Sequence, residues 1–157
     1  MTGFNADEIF EMALQVERNG GRFYRQAAET TEGETRDLLL RLAAMEDEHL
    51  EVFTRLKDKL GPSMAFDPDK EGARYLQFLT EGKVFPISGD QKLTGKETAE
   101  EILGLAIGFE KETVVFFTGI RDAVQGEEAK RSVAVLINQE MGHVADLSAR
   151  LLEIRRG

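Results

Sequence analysis

LLRLAAMEDEHLEVFTRL at residues 39–56 and VAVLINQEMGHVADLSARL at residues 133–151 carry the pattern that decides the fold. In the first, Leu39, Leu42, Phe53 and Leu56, continued by Leu60, recur at helical spacing, and Glu46 and His49 fall on the same stripe. In the second, Val133, Leu136, Leu147 and Leu151, continued by Ile154, frame Glu140 and His143 in the same way. Apolar residues three and four apart define a helix that turns one face inward. A carboxylate on such a face costs several kcal/mol unless it is paired or binds a cation. Two copies of Glu-x-x-His on inward stripes therefore ask for a chemical reason.

Working outward, two further stripes appear. A first helix reads Phe10, Ala13, Glu17, Gly20, Tyr24 and Ala27, and a third reads Ala99, Leu103, Ala106, Glu110, Thr113, Phe117, Ile120 and Val124. Asn5 with Glu8, Thr31 with Glu34, and Thr94 with Glu97 have the spacing of capping boxes. Gly61-Pro62 and Gln125-Gly126 provide stops. The spacing predicts helices over about 5–29, 33–60, 95–124 and 127–155, each roughly 40 Å long at about 1.5 Å per residue. The three prolines, at 62, 68 and 86, all lie in the connection 61–94. That connection is too long for a turn, and Tyr75, Leu76, Phe78 and Leu79 within it predict a short helix packed on the bundle. The expected fold is all-α, one domain over 1–157: an antiparallel four-helix bundle with one long crossover between helices two and three, the topology of ferritin-like folds.

Composition narrows the function. The 157 residues carry 29 Asp and Glu against 20 Lys and Arg, a net charge of −9, which disfavours nucleic-acid binding. The absence of Cys excludes disulfides, zinc fingers, iron–sulfur clusters and thiol nucleophiles from this chain. No apolar run is long enough to span a membrane. Asp7, Glu8 and Glu11 stand where a signal peptide needs positive charge and then an apolar core, so a cytoplasmic location is expected. Gly89 to Lys96 faintly echoes a P-loop, but its spacing is one residue too long and Glu97 stands in place of Ser or Thr.

The chain also repeats internally. Glu17 precedes Glu46 by 29 residues and Glu110 precedes Glu140 by 30; Phe23-Tyr24 and Phe116-Phe117 follow the first Glu of each half at the same distance. The two halves read as copies of one helical hairpin related by a pseudo-twofold. Residues three apart on a helix are about 60° apart around the axis and about 4.5 Å along it, so one Glu and one His reach a single ion. Glu17 and Glu110 each add a terminal carboxylate, and Glu46 and Glu140 are placed to bridge. Four carboxylates neutralise two divalent ions. Oxygen-rich ligation with one imidazole per ion suits iron or manganese, and zinc binds such a set without redox function. A Glu from each of two helices with Glu-x-x-His from each of the others is the donor pattern known for di-iron carboxylate bundles.

On these residues the chain resembles ferritin-like di-iron proteins. The run Ala106-Ile107-Gly108-Phe109-Glu110-Lys111-Glu112-Thr113 and the short hairpins are most similar to the rubrerythrin branch. The resemblance spans all four helices, while the crossover adds little to it. It implies two iron ions held by Glu17, Glu46, His49, Glu110, Glu140 and His143. It implies reaction with peroxide or dioxygen in oxidative-stress defence, and a homodimer, with helix exchange open to it through the long crossover. Rubrerythrins proper carry a rubredoxin domain with four Cys; with none here, electrons must come from an external donor. They also carry a further Glu three residues after the third-helix ligand, where this chain has Thr113. The remaining set resembles that of bacterioferritin and leaves ferroxidase chemistry open beside peroxidase and oxidase chemistry.

Iron storage or delivery, and a structural bundle with a redox-inert metal, are the alternative readings. Tyr24 is similar in placement to a tyrosine beside the metal ligands of the family, and is read either as a catalytic residue that hydrogen-bonds a ligand carboxylate or supplies an electron, or as a plain core aromatic. Thr113 reads as a small residue with its hydroxyl bonded back to the helix. Asp47, Glu48 and Glu112 read as solvated face, and Met45 and Met141 as core filler. Tyr75, Phe78 and Phe85 in the crossover point to a dimer contact.

Overall fold

The computed structural model describes residues 6–60, 66–80 and 92–157. Five helices run in order: α1 Ala6–Glu29, α2 Gly33–Leu60, α3 Glu71–Thr80, α4 Ala99–Ala123 and α5 Glu127–Arg156. Helices α1 and α2 form one hairpin and α4 and α5 the other, with α2 against α5 and α1 against α4. This is the expected all-α bundle, and the four long helices match the periodicity closely.

Ion pairs at the two ends fix the direction of each helix. At one end Lys57, late in α2, meets Asp7 and Glu11 early in α1, and Lys59 meets Glu128 at the start of α5. At the other end Arg150, late in α5, reaches Glu34 at 2.6 Å, and Arg155 reaches Glu100 of α4 at 2.6 Å. Helix α2 therefore ends where α5 begins and where α4 ends. The chain must travel the full length of the bundle, roughly 40 Å, before α4 can start, which is why the crossover is long.

The crossover is pinned on its way. Asp67 N donates to Ala123 O at 2.9 Å, and Phe66 packs on Phe10 with ring centroids 6.5 Å apart. The expected short helix forms as α3, with Leu76 fully buried. It lies on α4 at two glycines. A Cβ on Gly72 would sit 2.5 Å from Gly119 O, and one on Gly119 would sit 2.9 Å from Tyr75 Cδ1. Gly72 N donates to Asp122 Oδ2 at 2.8 Å, so an α4 carboxylate anchors the first turn of α3.

The helix starts need correction. Helix α4 begins at Ala99, not 95, with Thr98 and Glu101 forming the reciprocal capping box. The earlier pair, Thr94 and Glu97, closes a turn instead: Glu97 accepts from Thr94 N, Thr94 Oγ1 and Gly95 N at 2.7–3.0 Å. Gly95 has φ +83°, which a right-handed helix cannot pass through. Those backbone donors, Thr94's first, hold the Glu97 carboxyl down at about 2. Nor does Thr31 cap α2; its hydroxyl donates to Ala27 O at 3.0 Å and closes the end of α1. Asn5 lies outside the described residues.

Candidate metal centre

Each long helix places its polar seam residues near its midpoint, and the end-to-end ion pairs keep those midpoints level. Glu17 of α1, Glu46 and His49 of α2, Glu110 of α4, and Glu140 and His143 of α5 all converge with at most 1% of their surface exposed. They form two overlapping groups. Glu17, Glu46, His49 and Glu140 offer ligand atoms within 4.8 Å of one another, as do Glu46, Glu110, Glu140 and His143. Glu46 and Glu140, the two residues that spacing placed to bridge, belong to both groups.

Both imidazoles turn Nδ1 to the carboxylates. His49 Nδ1 lies 2.9 Å from Glu140, 3.4 Å from Glu17 and 3.7 Å from Glu46. His143 Nδ1 lies 2.9 Å from Glu140, 3.2 Å from Glu110 and 3.3 Å from Glu46. The rings stack at 5.5 Å with their planes 10° apart. Proximity does not amount to satisfaction: nine buried oxygen and nitrogen atoms of these six residues have no aligned hydrogen-bond partner. A folded interior leaves few such atoms, and an orphan typically costs about 1–3 kcal/mol. A cluster of lone pairs aimed at shared space fits two cations, so the residues present suit a dinuclear metal centre.

Without metal, protons take the cations' place. Burial, followed by the charge of Glu46, pushes the Glu17 carboxyl well up; burial also raises Glu110, helped by Glu140 and Glu46 against the pull of His143. Burial opposes the charge on Glu46, but contacts with Glu17, His143 and His49 win and hold it down at about 2. Glu140 is lowered against the same burial by His143 and His49. Burial works against both imidazolium ions too, yet the carboxylates, led by Glu140 for His49 and Glu110 for His143, raise them, His143 to about 12. These directions favour a metal-free cluster in which Glu46 and Glu140 are ionised, Glu17 and Glu110 hold protons and both imidazoles are charged, an arrangement without net charge. Two divalent ions with four carboxylates and two neutral imidazoles are neutral as well. Loading at pH 7 is expected to release about four protons per chain, two from Glu17 and Glu110 and two from the histidines. Calorimetry in buffers of different ionisation enthalpy measures that number; release of one proton or none would contradict it.

The surrounding side chains sort as expected, with one exception. Tyr24 is fully buried and its hydroxyl donates to Glu110 Oε1. Burial, then the Glu110 charge, raises its own pKa, so it stays a proton donor. Thr113 donates to Phe109 O at 3.0 Å, the bond back to the helix anticipated for it, and so offers its hydroxyl proton to no ligand. Asp47, Glu48 and Glu112 are exposed, Asp47 paired with Arg25. Met45 packs on the core, but Met141 is 48% exposed and is not core filler, because it lies one residue past the inward stripe of α5. Phe78 is 52% exposed, while Phe85 lies outside the described residues.

One contact escaped the sequence reading. Phe109 stacks on Phe23 and meets Tyr24 edge-on, each with ring centroids 6.4 Å apart, and leans on the α1 backbone at Gly20. A Cβ at Gly20 would lie 3.0 Å from Phe109 Cζ and 3.3 Å from Glu46 Cδ. A glycine inside a helical stripe is the signal of such close approach. Gly20→Ala is expected to destabilise the protein by about 1–3 kcal/mol through overpacking, despite the better helix propensity of Ala. Gly108→Ala on α4, where nothing lies within 4 Å, is expected to stabilise by about 0.5–1 kcal/mol. Urea unfolding of the two variants checks the opposite signs.

Comparison with known proteins agrees with this geometry. The fold is similar to a 2.30 Å crystal structure from Thermotoga maritima, a protein assigned as ferritin-like diiron-carboxylate, with a TM-score of 0.68 and 24% identity over 98% of this chain and 95% of that one. No curated protein matches the sequence. No helix among the described residues is long and apolar enough to cross a membrane. The rubrerythrin family model matches residues 8–151, nearly the whole chain, and with the fold and the paired Glu-x-x-His turns in agreement the chain belongs to the rubrerythrin family.

Proposed function

We propose that this chain is a non-haem di-iron redox protein that reacts with peroxide or dioxygen, its metals held by Glu17, Glu46, His49, Glu110, Glu140 and His143. The observation that carries the reading is the sharing of Glu46 and Glu140 between two otherwise separate ligand groups. Two iron ions held by these residues, each able to pass between ferrous and ferric states, would supply the two electrons that convert hydrogen peroxide and two protons to two waters. The chain's part is to hold and insulate. The four carboxylates and two imidazoles set the charge; Phe53, Phe117, Leu39 and Leu103, all fully buried, keep bulk water from the seam. Tyr24 keeps Glu110 oriented through its hydroxyl.

With no Cys in the chain, re-reduction falls to an external donor. Manganese and zinc also fit the donor set. We place the protein in the cytoplasm, as a homodimer; exposed Leu105, Val115, Val135 and Leu152 on α4 and α5 offer apolar surface for a second copy. Ferroxidase chemistry is the second reading, favoured by Thr113, whose hydroxyl is committed to the helix where a seventh ligand would otherwise stand.

Anaerobic loading with ferrous iron, followed by parallel stopped-flow mixing with peroxide and with dioxygen, tests the proposal. Fast oxidation with a ligand-to-metal absorption band is expected, and the faster oxidant identifies the branch. Slow oxidation at the same rate in wild type and Glu46→Ala would sink it. A solution mass of a closed shell would instead favour storage.

A further inference from the structure

The internal repeat breaks at one buried position. Seven residues after Glu17 stands Tyr24; seven after Glu110 stands Phe117. Both rings are fully buried. The Tyr24 hydroxyl crosses from its own hairpin to the other and donates to Glu110 Oε1. Phe117 has no hydroxyl with which to return the contact. The two terminal carboxylates therefore sit in different surroundings. Both oxygens of Glu17 are buried without an aligned hydrogen-bond partner, whereas on Glu110 only Oε2 is. Their imidazole neighbours stand at similar distances, His49 Nδ1 3.4 Å from Glu17 and His143 Nδ1 3.2 Å from Glu110, but only the second is an aligned hydrogen bond, made to the same Oε1 that Tyr24 holds.

We propose that the two metal positions are inequivalent: the Glu17–His49 position binds a divalent ion more tightly and fills first, and Tyr24 is the positioning residue that weakens the Glu110–His143 position. This inference rests on the dinuclear reading above. A hydroxyl that donates to a carboxylate draws charge from it and satisfies part of its demand, so an arriving cation gains less there. Glu17 has no such donor, and a cation supplies what it lacks. Glu46 and Glu140 serve both positions, so they do not create the difference. The Glu110–His143 position is then the last to fill and the first to empty.

Cobalt titration of the intact protein under anaerobic conditions, followed by visible absorption, tests this. Single-position variants remove the ambiguity of coupled sites. Glu110→Gln, which retains the Glu17–His49 position, is expected to bind one Co²⁺ about tenfold more tightly than Glu17→Gln, which retains the other. Adding Tyr24→Phe to Glu17→Gln is expected to recover about that tenfold, and adding it to Glu110→Gln to change little. A tyrosine that only filled space would not move one position and spare the other. Equal affinities in the two Gln variants would overturn the inference, as would a Tyr24→Phe effect shared by both. The comparison of the two Gln variants stands even if Tyr24→Phe does not fold. Failure of wild-type protein to bind any Co²⁺ would overturn the dinuclear reading itself, a result distinct from two equal positions.

Discussion

Glu46→Ala is expected to lose both metal ions, whereas Glu17→Ala loses one. The difference follows from membership. Glu46 contributes a carboxylate to both ligand groups, while Glu17 contributes to one and leaves Glu46, Glu110, Glu140 and His143 intact. Removal of a group that merely supports a ligand costs about 10–100-fold in affinity, so loss of a shared ligand is expected to exceed about a hundredfold at each position. Charge works in the same direction. With Glu46 gone, two divalent ions face three carboxylates, and a net positive charge is left in a site with at most 1% exposure. Equilibrium dialysis against Mn²⁺ with metal analysis reads the outcome as about two ions per chain for wild type, one for Glu17→Ala and none for Glu46→Ala. Two ions retained by Glu46→Ala would show that this carboxylate does not bridge.

Metal removal is expected to have the largest effect on stability, and the effect grows with pH. The metal-free protein keeps its nine unsatisfied buried atoms. Metal at about a thousand times its dissociation constant adds about 4 kcal/mol per site, and two sites raise Tm by upwards of about 15 °C in a chain of this length. The pH dependence has a definite sign. Glu17 and Glu110 are raised in the metal-free fold, so their contribution falls as pH rises above the ordinary 4.5. His49 and His143 are also raised, so theirs is full below 6.5 and falls as pH climbs toward the folded value, about 12 for His143. Glu46 and Glu140 are lowered, so theirs is lost only as pH drops below 4.5, toward about 2 for Glu46. The cluster therefore favours the metal-free fold most near pH 4.5, and that preference falls as pH rises, more steeply above about 6.5. The loaded protein behaves oppositely, since binding expels protons and tightens as pH rises. Thermal melts at pH 5.5 and 8, with Mn²⁺ and with chelator, are expected to show a wider gap at pH 8. An equal or narrower gap would contradict the protonation states assigned to the cluster.

The convergence of these six residues was legible because helical periodicity ties residues three apart to one face, and the seams of all four helices carried their polar residues at matching depth. Glu46, His49, Glu140 and His143 could be read from spacing alone, and the repeat at 29 and 30 residues located Glu17 and Glu110. Even the short α3 was visible as an apolar cluster between prolines. Boundaries were harder. Two Thr-x-x-Glu motifs stand in tandem before α4, and the choice between Thr94 and Thr98 depends on the backbone at Gly95, whose positive φ no pattern reveals. Thr31 had the right neighbour for a cap, yet the carbonyl of Ala27 claimed its hydroxyl. Contacts between hairpins were the least legible. That Tyr24 would reach Glu110, 86 positions away, and that Phe109 would rest on Gly20, depend on how the two hairpins dock. The break in the repeat at Tyr24 and Phe117 was present in the sequence, but it gained meaning only once that docking placed a hydroxyl against one terminal carboxylate and none against the other.

The most direct measurement is an anomalous difference map, collected at the iron edge, from crystals soaked anaerobically in ferrous iron. Two peaks within the cluster are expected, one among Glu17, Glu46, His49 and Glu140 and the other among Glu46, Glu110, Glu140 and His143. A single peak, or peaks lying outside these six residues, would contradict a dinuclear centre in this chain.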